Sequence, residues 1–243
     1  MGNELMTERN KRTEMLLGED AIERLSLTRV AIFGIGGVGG YALEALVRTG
    51  VLNIDIFDSD TVSRSNLNRQ IIATESTIGM SKCEAAKARA REINSSANIV
   101  IHEMFYSDEN KNAVDLTRYD YIIDAIDTLS SKCALIEEAT RLNVKIISSM
   151  GTGGKLDPTK IEVTDIYKTS VCPLARAVRA QLKKRGIKKL KVVYSKEDPI
   201  KKYVEDTHGG LTLHRAPGSV VFVPASAGLA LAYEVIKDIL GLN

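Results

Sequence analysis

The chain carries a small set of residues suited to binding the phosphates of a nucleotide. Arg69 is a fixed positive charge that can hold two phosphate oxygens at once, and Lys82 adds a second, mobile charge. Asn66 can donate a hydrogen bond, and the carboxylate of Asp127 can hold a divalent cation. Together these residue types suit a triphosphate with Mg²⁺. They suit nicotinamide poorly, because that ring needs an apolar slot.

A glycine-rich turn precedes these residues in the stretch AIFGIGGVGGYALEALVRTG. Gly34, Gly36 and Gly39 fit the G-x-G-x-x-G fingerprint of dinucleotide-binding folds, between a short apolar strand and an amphipathic helix. The first glycine permits a tight turn, the second lets the backbone approach a phosphate, and the third lets helix and strand pack closely. Asp58 ends the next predicted strand, where a ribose-binding carboxylate is expected. The fingerprint alone does not separate NAD from ATP.

Strands and helices alternate through the first part of the chain. The pattern predicts strands at 29–33, 53–57, 98–103, 119–124 and 145–149, and helices at 37–49, 82–93, 110–116 and 130–142. Further along, it predicts strands at 160–166 and 190–194, helices at 172–185 and 226–240, and an irregular segment at 195–219. We therefore expect an α/β, Rossmann-like fold with a mostly parallel sheet and helices on both faces. Its second half should add antiparallel strands and substrate loops.

The chain shows no repeat or low-complexity tract, so we expect one domain over 1–243. Within it, 1–28 would form an N-terminal arm and helix, 29–150 a nucleotide-binding half, and 151–243 a substrate-binding and dimerisation half. Ser81 and Glu84 predict a capping box at the start of the helix that carries Lys82.

Composition narrows the function classes. A net charge of +2 gives no global field that favours nucleic acid or membrane. Cys83, Cys133 and Cys172 are far apart and form no C-x-x-C pair, so a zinc ribbon and a disulfide framework are not expected. The N-terminus lacks the apolar core of a secretory signal, and charges interrupt the apolar stretch at 220–240. We expect a cytoplasmic protein with no stable membrane association and no zinc.

Each candidate also has a purely structural interpretation. Arg69 and Lys82 could be surface charges, and Asp127 could cap the helix that follows it. Asp60 and Asp124 could be turn or cap residues, and we favour that interpretation for Asp124. The structural interpretation must, however, place several polar side chains at strand ends on one side of a single sheet by chance.

Four motifs, GIGGVG, FDSDTVSRSNLNRQ, GMSK and DAIDT, together resemble the ThiF/MoeB/HesA superfamily of E1-like adenylating enzymes over about residues 8–155. The resemblance implies an E1-type adenylating fold that uses ATP and Mg²⁺. It implies an ATP site formed by Gly34, Gly36, Gly37, Gly39, Asp58, Asp60, Asn66, Arg69, Lys82 and Asp127. Within that set, Asp58 would bind ribose, Asp127 would associate with Mg²⁺ through ATP, and Arg69, Lys82 and Asp127 would act in catalysis.

The resemblance also implies a homodimer in which an arginine near the N-terminus reaches the ATP site of the partner protomer. Arg12 in RTEMLLG is the matching candidate, and Arg9 is a weaker one. A monovalent cation and a cysteine desulfurase or sulfur-acceptor partner stay open.

The second half is similar to the tRNA threonylcarbamoyladenosine dehydratase branch, on the stretches GTGGKLDPTKIEVTDIYKTSVCPLARAVRAQLKKRGI and PASAGLALA and on DAIDT itself. This similarity implies ATP-dependent dehydration of N6-threonylcarbamoyladenosine (t6A) at tRNA position 37 to cyclic t6A, through adenylation of the threonyl carboxylate. Candidate tRNA contacts are Lys155, Lys183, Lys184, Arg185, His208 and Arg215. A lysine run otherwise marks a solvated helix end, and Lys155 could equally be a solvent lysine.

Three other functions remain alternatives. The chain could adenylate the C-terminal Gly-Gly of a ubiquitin-like sulfur-carrier protein, although it lacks the two C-x-x-C pairs with which such activators generally hold zinc. It could be an NAD-dependent oxidoreductase, or a nucleotide sensor without turnover. Cys172 lies where thiol-using E1-like enzymes can carry a reactive cysteine. We favour a structural thiol, because Arg176 is the only nearby cation in the sequence that would lower its pKa.

Overall fold

A computed structural model describes residues 2–200, 203–205, 211–213 and 217–242. Its main sheet has seven strands in the order β3-β2-β1-β4-β5-β7-β6. The strands are β1 (Arg29–Phe33), β2 (Asn53–Phe57), β3 (Asn98–His102), β4 (Tyr121–Asp124), β5 (Ile146–Ser149), β6 (Ile161–Asp165) and β7 (Lys191–Ser195). All neighbouring pairs are parallel except β6 with β7, which are antiparallel. A separate antiparallel pair joins β8 (Tyr203–Glu205) to β9 (Leu211–Leu213).

Helices cover both faces of the main sheet. They are α1 (Gly2–Leu17), α2 (Glu19–Leu27), α3 (Gly39–Thr49), α4 (Lys82–Ile93), α5 (Leu129–Arg141), α6 (Pro173–Lys184) and α7 (Phe222–Leu240). Successive strand residues point to opposite faces, and the core divides accordingly. In β1, Ile32 packs in the cluster that contains α3, α4 and α7, whereas Phe33 packs in the cluster that contains α5. No helix among the described residues is long and apolar enough to cross a membrane.

The strand order creates a crevice between β1 and β4. From β1 the chain steps outward to β2 and β3, then returns to place β4 on the other side of β1. The loops that follow β1 and β4 therefore leave the carboxyl edge of the sheet side by side and diverge. Ligands of open α/β sheets bind at such a switch point.

Three predictions about local structure are wrong. No α-helix forms at 110–116, where two short 3₁₀ turns stand at Lys111–Ala113 and Leu116–Arg118. The side chain of Asp115 accepts a hydrogen bond from the amide of Thr117, which starts the second turn and interrupts a longer helix. The last helix begins at Phe222 rather than 226, because Pro224 is tolerated in a first helical turn. The segment predicted to be irregular contains β8 and β9.

The predicted capping box at the start of α4 is also wrong. The side chain of Ser81 makes no capping hydrogen bond. Its backbone instead forms a bridge with Thr61, and the amide of Lys82 donates to the carbonyl of Asp60 at 3.0 Å. Backbone pairing therefore does the anchoring that the side chain was expected to do, and it ties α4 to the segment after β2.

Candidate active site

A cleft of about 440 Å³ opens at the switch point between β1 and β4. It gathers most of the residues that the sequence predicts for an ATP site. Those that line it are Gly34, Gly36, Gly37, Asp58, Asp60, Asn66, Arg69, Lys82 and Asp127. Five separate segments of the chain supply them, so the sheet topology itself builds the site.

The glycines of the loop after β1 have different reasons to be glycine. Gly34 has φ +90°, and a Cβ there would stand 2.7 Å from the carbonyl oxygen of Ala125. A Cβ on Gly39 would stand 1.8 Å from the carbonyl oxygen of Gly34, so packing excludes a side chain at both positions. A Cβ on Gly36 would meet nothing nearer than Nε2 of Gln70 at 3.8 Å. The fold leaves room for a side chain at Gly36, on the wall of the cleft.

Asp58 fixes the shape of this loop. Its Oδ2 accepts a hydrogen bond from the amide of Ile35 at 2.7 Å, and its Oδ1 accepts one from the amide of Asp60 at 2.9 Å. Its side chain is only 10% exposed. α3 begins directly after the loop at Gly39, so the positive end of its dipole points toward the cleft. The carboxylate of Asp58 therefore makes one side of the cleft acidic, and the N-terminus of α3 makes another side suitable for binding an anion.

Lys82 already has a partner. Its Nζ lies 2.6 Å from Oδ2 of Asp60 and 3.8 Å from Oδ1 of Asp58. The lysine side chain is 9% exposed, whereas that of Asp60 is 67% exposed. The structure therefore places Asp60, which was predicted as an ATP ligand, as the solvent-facing counter-ion of Lys82.

Asn66 ends a short 3₁₀ segment after β2, Arg64–Asn66, and Arg69 lies in the turn that follows it. Oδ1 of Asn66 accepts from the amide of Ser63 at 3.0 Å, which fixes the side-chain amide of this buried residue. Nη1 of Arg69 donates to the carbonyl of Ser65 and to Oδ1 of Asn68. Within the described part of the chain, Arg69 makes no ion pair with a carboxylate. Its charge stays available to an anion in the cleft.

Asp127 lies on the loop after β4 and is exposed. Within the described ranges, no three His, Cys, Asp or Glu side chains cluster as metal ligands. Mg²⁺ in nucleotide sites is held by one or two carboxylates and the substrate phosphates, so a single carboxylate at the mouth of the cleft fits that ion.

Sequence reasoning missed several residues of the cleft wall. Gln70, Tyr106 and Ser131 line the cleft, are at least nine-tenths buried, and each has a side-chain oxygen without a hydrogen-bond partner in the described structure. Burial raises the pKa of Tyr106, so its hydroxyl stays protonated. Gln70 directly follows Arg69 and could have been found as its neighbour. Tyr106 and Ser131 carry no sequence signal, because the first belongs to a loop and the second to a helix.

Comparisons with known proteins identify the family of this chain. A model of the ThiF family matches residues 9–243. The chain belongs to the ThiF family. The match extends well beyond the stretch on which the motif resemblance rests, and it includes the whole second half.

Individual relatives of this ThiF-family chain are also similar over nearly its full length. The tRNA threonylcarbamoyladenosine dehydratase of Bacillus subtilis (strain 168) is 39% identical over 237 residues, which are 94% of this chain and 93% of that protein. The E. coli tRNA N6-threonylcarbamoyladenosine dehydratase TcdA in complex with ATP is 32% identical with a TM-score of 0.85. The same enzyme in complex with AMP is 33% identical with a TM-score of 0.87, and both alignments cover 97% of this chain and 95% of the other. The predicted fold class is confirmed.

The candidate tRNA contacts of this ThiF-family chain are not all alike. Lys183 and Lys184 are exposed at the end of α6, whereas Arg185 forms an ion pair with Glu137. Lys155 is only 2% exposed, and its Nζ donates to the carbonyl of Ser195 at 2.8 Å. The interpretation of Lys155 as a solvent lysine is therefore wrong, and a buried amine offers no open surface to a tRNA phosphate. Burial also lowers its pKa. His208 and Arg215 lie outside the described residues.

Two further candidates lie away from the cleft residues described above. Arg12 is exposed on α1. Cys172 is 2% exposed at the residue before α6, and its thiol lies 3.9 Å from the carbonyl oxygen of Gly151. It packs in the apolar cluster that contains Val178 and Leu182. This environment favours a structural thiol over a reactive one.

Proposed function

We propose that this protein dehydrates t6A at tRNA position 37 to cyclic t6A at the expense of ATP. The observation that carries the proposal is the 39% identity to the Bacillus subtilis dehydratase over 94% of this chain. That alignment includes both the nucleotide cleft and the second half, where a substrate would be recognised. We assign the nucleotide to 29–150 and the substrate and dimer contacts to 151–243.

The first step is adenylation. A threonyl carboxylate oxygen attacks the α-phosphorus of ATP, the bond to the bridging α–β oxygen breaks, and pyrophosphate leaves. Arg69, Lys82 and the amino end of α3 stabilise the negative charge on the phosphates as that bond breaks. Asp58 holds the ribose, and Asn66 donates its amide to a phosphate oxygen. The residues thus bind and orient ATP, while the carboxylate supplies the nucleophile.

Asp127 is the residue that would hold Mg²⁺, together with the phosphate oxygens. When bound, the ion neutralises charge that develops on the departing pyrophosphate. Asp127 suits this role because it is exposed at the cleft mouth, where a hydrated ion can reach it.

The second step is ring closure. A nitrogen of the carbamoyl group of the same side chain attacks the acyl carbon, the bond between that carbon and the AMP oxygen breaks, and AMP leaves while the nitrogen gives its proton to water. Nucleophile and electrophile belong to one molecule, so positioning replaces a protein nucleophile. The buried Cys172 accordingly has no chemical role in the proposal.

A homodimer completes the ATP site through Arg12 of the partner protomer. The exposed apolar side chains of Phe222, Leu229 and Tyr233 on α7 support a subunit interface. A mixture of Arg12→Ala and Lys82→Met protomers tests this directly. Of the two sites in a mixed dimer, one has both Lys82 and the partner's Arg12, and the other has neither. About a quarter of the wild-type activity should return on mixing. Two inactive proteins that stay inactive after exchange of subunits refute the shared site.

The function is tested with one incubation. The protein, ATP, Mg²⁺ and tRNA bearing t6A are combined, the tRNA is digested to nucleosides, and the nucleoside masses are measured by mass spectrometry. We expect the modified adenosine to lose one water, with one AMP and one pyrophosphate released per nucleoside. An unchanged nucleoside refutes the proposal, and pyrophosphate exchange driven instead by a Gly-Gly-tailed protein would point to a sulfur-carrier activator. A cytoplasmic location follows from the tRNA substrate.

A further inference from the structure

A fully buried ionic cluster lies directly behind the cleft. Nζ of Lys132 is 2.7 Å from Oδ2 of Asp124, and both side chains are 0% exposed. The hydroxyl of Ser148 donates to the same Oδ2 at 2.5 Å, and the ammonium group of Lys132 also donates to that hydroxyl oxygen at 3.1 Å. The three residues come from the end of β4, the first turn of α5 and β5. We call them the buried triad.

The buried triad holds both ends of one loop. The loop runs over 125–128, between β4 and α5, and all four of its residues line the cleft. Asp124 immediately precedes it, and its Oδ1 accepts from the amide of Ile126 at 3.1 Å, inside the loop. Lys132 follows it, and its own amide bonds the carbonyl of Thr128 at 3.0 Å. The ion pair therefore clamps the loop that carries Asp127.

The same loop also touches the glycine turn. A Cβ on Gly34 would stand only 2.7 Å from the carbonyl oxygen of Ala125, so the two loops are in close backbone contact. The amide of Ala125 donates to the carbonyl of Phe33 at 2.8 Å. A shift of the loop over 125–128 would therefore move Asp127 and press on the turn at Gly34.

Stability alone is a weak reason for this cluster. Removal of two charges from water costs more than their attraction often returns, and apolar side chains of similar volume commonly replace a buried ion pair without loss. Ile136 lies one turn after Lys132 on the same side of α5 and is a fully buried apolar residue, so an apolar side chain would suit the site. Apolar side chains could not replace the carboxylate of Asp124, which accepts hydrogen bonds from Lys132 and Ser148 and also from the amide of Ile126 in the loop.

We propose that Lys132 and Asp124 are positioning residues that set the loop over 125–128, and through it Asp127, at the triphosphate end of ATP. The inference rests on the proposed ATP-dependent function. Neither residue touches substrate. Lys132 acts on Asp124, Asp124 acts on the amide of Ile126, and the loop presents the Asp127 carboxylate to Mg²⁺ and the departing phosphates. The triad therefore supports the Mg²⁺-dependent part of nucleotide binding and not the part that recognises adenosine.

The test compares Lys132→Met, Lys132→Arg and the control Lys191→Met. Met has a similar length and no charge, and Arg keeps the charge. Lys191 lies on β7 and forms ion pairs with Glu234 and Asp238 on α7, away from the loop. The affinities for ATP and AMP are measured by titration calorimetry across a range of Mg²⁺ concentrations, together with the kcat and KM of pyrophosphate release and the melting temperature.

For Lys132→Met we expect kcat to fall about 10- to 100-fold and the half-saturating Mg²⁺ concentration for ATP binding to rise at least about fivefold. AMP affinity should stay within about threefold, because AMP lacks the phosphates that the loop serves. Lys132→Arg should restore both values to within about threefold of wild type, and Lys191→Met should change neither.

Three results would overturn the inference: equal losses for AMP and ATP, an unchanged Mg²⁺ dependence in a folded Lys132→Met, or the same kinetic loss in Lys191→Met. If Lys132→Met does not fold, Asp124→Asn with Lys132→Met removes both charges, and an unchanged Mg²⁺ dependence in that double variant overturns it as well. Failure of the proposed function is separate, because the wild type would then release no pyrophosphate with t6A tRNA while the nucleotide-binding experiment remained readable.

Discussion

Gly36 and Gly34 belong to the same turn, yet alanine should affect them in opposite ways. At Gly36 the backbone is outside the left-handed region, and a Cβ would find its nearest neighbour at 3.8 Å, an ordinary contact. Gly36→Ala should therefore change the free energy of unfolding by less than about 1 kcal/mol, with a stabilising contribution from the unfolded chain. At Gly34, φ +90° alone costs an alanine about 1–2 kcal/mol. The 2.7 Å approach to the Ala125 oxygen adds to that cost.

ATP binding should be affected at Gly36, the position where alanine leaves stability almost unchanged. If phosphate approaches the backbone at Gly36, a methyl group there keeps it away and forfeits at least one hydrogen bond to a charged group, about 1.5–3 kcal/mol. That loss corresponds to an increase of about 10- to 150-fold in the Kd for ATP. Gly36→Ala should thus fold normally and bind ATP poorly, whereas Gly34→Ala should melt lower by at least about 2 °C.

Calorimetry provides both measurements on the same samples. Thermal scans without nucleotide give the melting temperature, and titrations with ATP and Mg²⁺ give the Kd. A Kd for ATP in Gly36→Ala within about twofold of wild type would mean that the turn does not approach the phosphates. A Gly34→Ala variant as stable as wild type would contradict the steric role of Gly34.

Four further outcomes follow from the structure. Lys82→Met should lower pyrophosphate release at least about 100-fold with little change in melting temperature, because its partner Asp60 is exposed to water. Burial opposes the ionisation of Asp238, but hydrogen bonds from Lys191 and Tyr121 outweigh it and hold its pKa below 3.8. The ionised Asp238 therefore contributes its full stabilisation above that value, and the contribution is lost as pH falls through the lowered pKa. In urea unfolding, Asp238→Asn should have a lower free energy of unfolding than wild type at pH 7, and the two should converge below about pH 4. Replacement of Lys183 and Lys184 by Gln should weaken tRNA binding and lower the slope of log K against log salt by about 1.4–1.8 in filter-binding assays. Cys172→Ala should keep turnover of t6A tRNA within about twofold.

Controls and contrary results differ for each. A melting temperature that falls in parallel with activity would make Lys82 structural. A constant stability gap between pH 7 and pH 3 would contradict the assignment for Asp238. Lys87→Gln with Arg91→Gln on α4 removes the same charge elsewhere, and an equal change in salt slope would remove the case for α6. Loss of turnover with normal pyrophosphate release in Cys172→Ala would assign chemistry to the thiol.

Much of the sheet could be predicted from the sequence. The strands at 29–33 and 53–57 and the helix at 82–93 have the predicted bounds, because apolar runs end there at glycines or polar turns. The residues of the cleft follow from the same logic, since parallel strands place their carboxyl ends on one edge. Where local signals conflict, prediction fails: the predicted helix starts at 226 and leaves out Pro224, whereas α7 contains this proline in its first turn.

The buried triad could not be predicted in this way. Asp124 could be assigned as a turn residue, and its bond to the amide of Ile126 agrees with that interpretation. Its pairing with Lys132 depends on the face of α5 that packs against the sheet, and Ser148 joins only because β5 lies beside β4. The buried amine of Lys155 is similar, since its acceptor, the Ser195 carbonyl, is 40 residues away in the chain. Periodicity predicts elements, but it does not predict which polar side chains meet after the elements pack.

The contact between Lys82 and Asp60 has a consequence for how the catalytic cycle ends. Nζ of Lys82 lies 2.6 Å from Oδ2 of Asp60, so in the proposed ATP site a phosphate bound to Lys82 would replace one anion by another. In the proposed reaction Lys82 would change partner without passing through a state in which its charge is both buried and unpaired. Asp60 would compete with the phosphates for the same cation and so limit how tightly they are held. It would also take the place of departing pyrophosphate or AMP at Lys82 and help to clear the site for the next ATP.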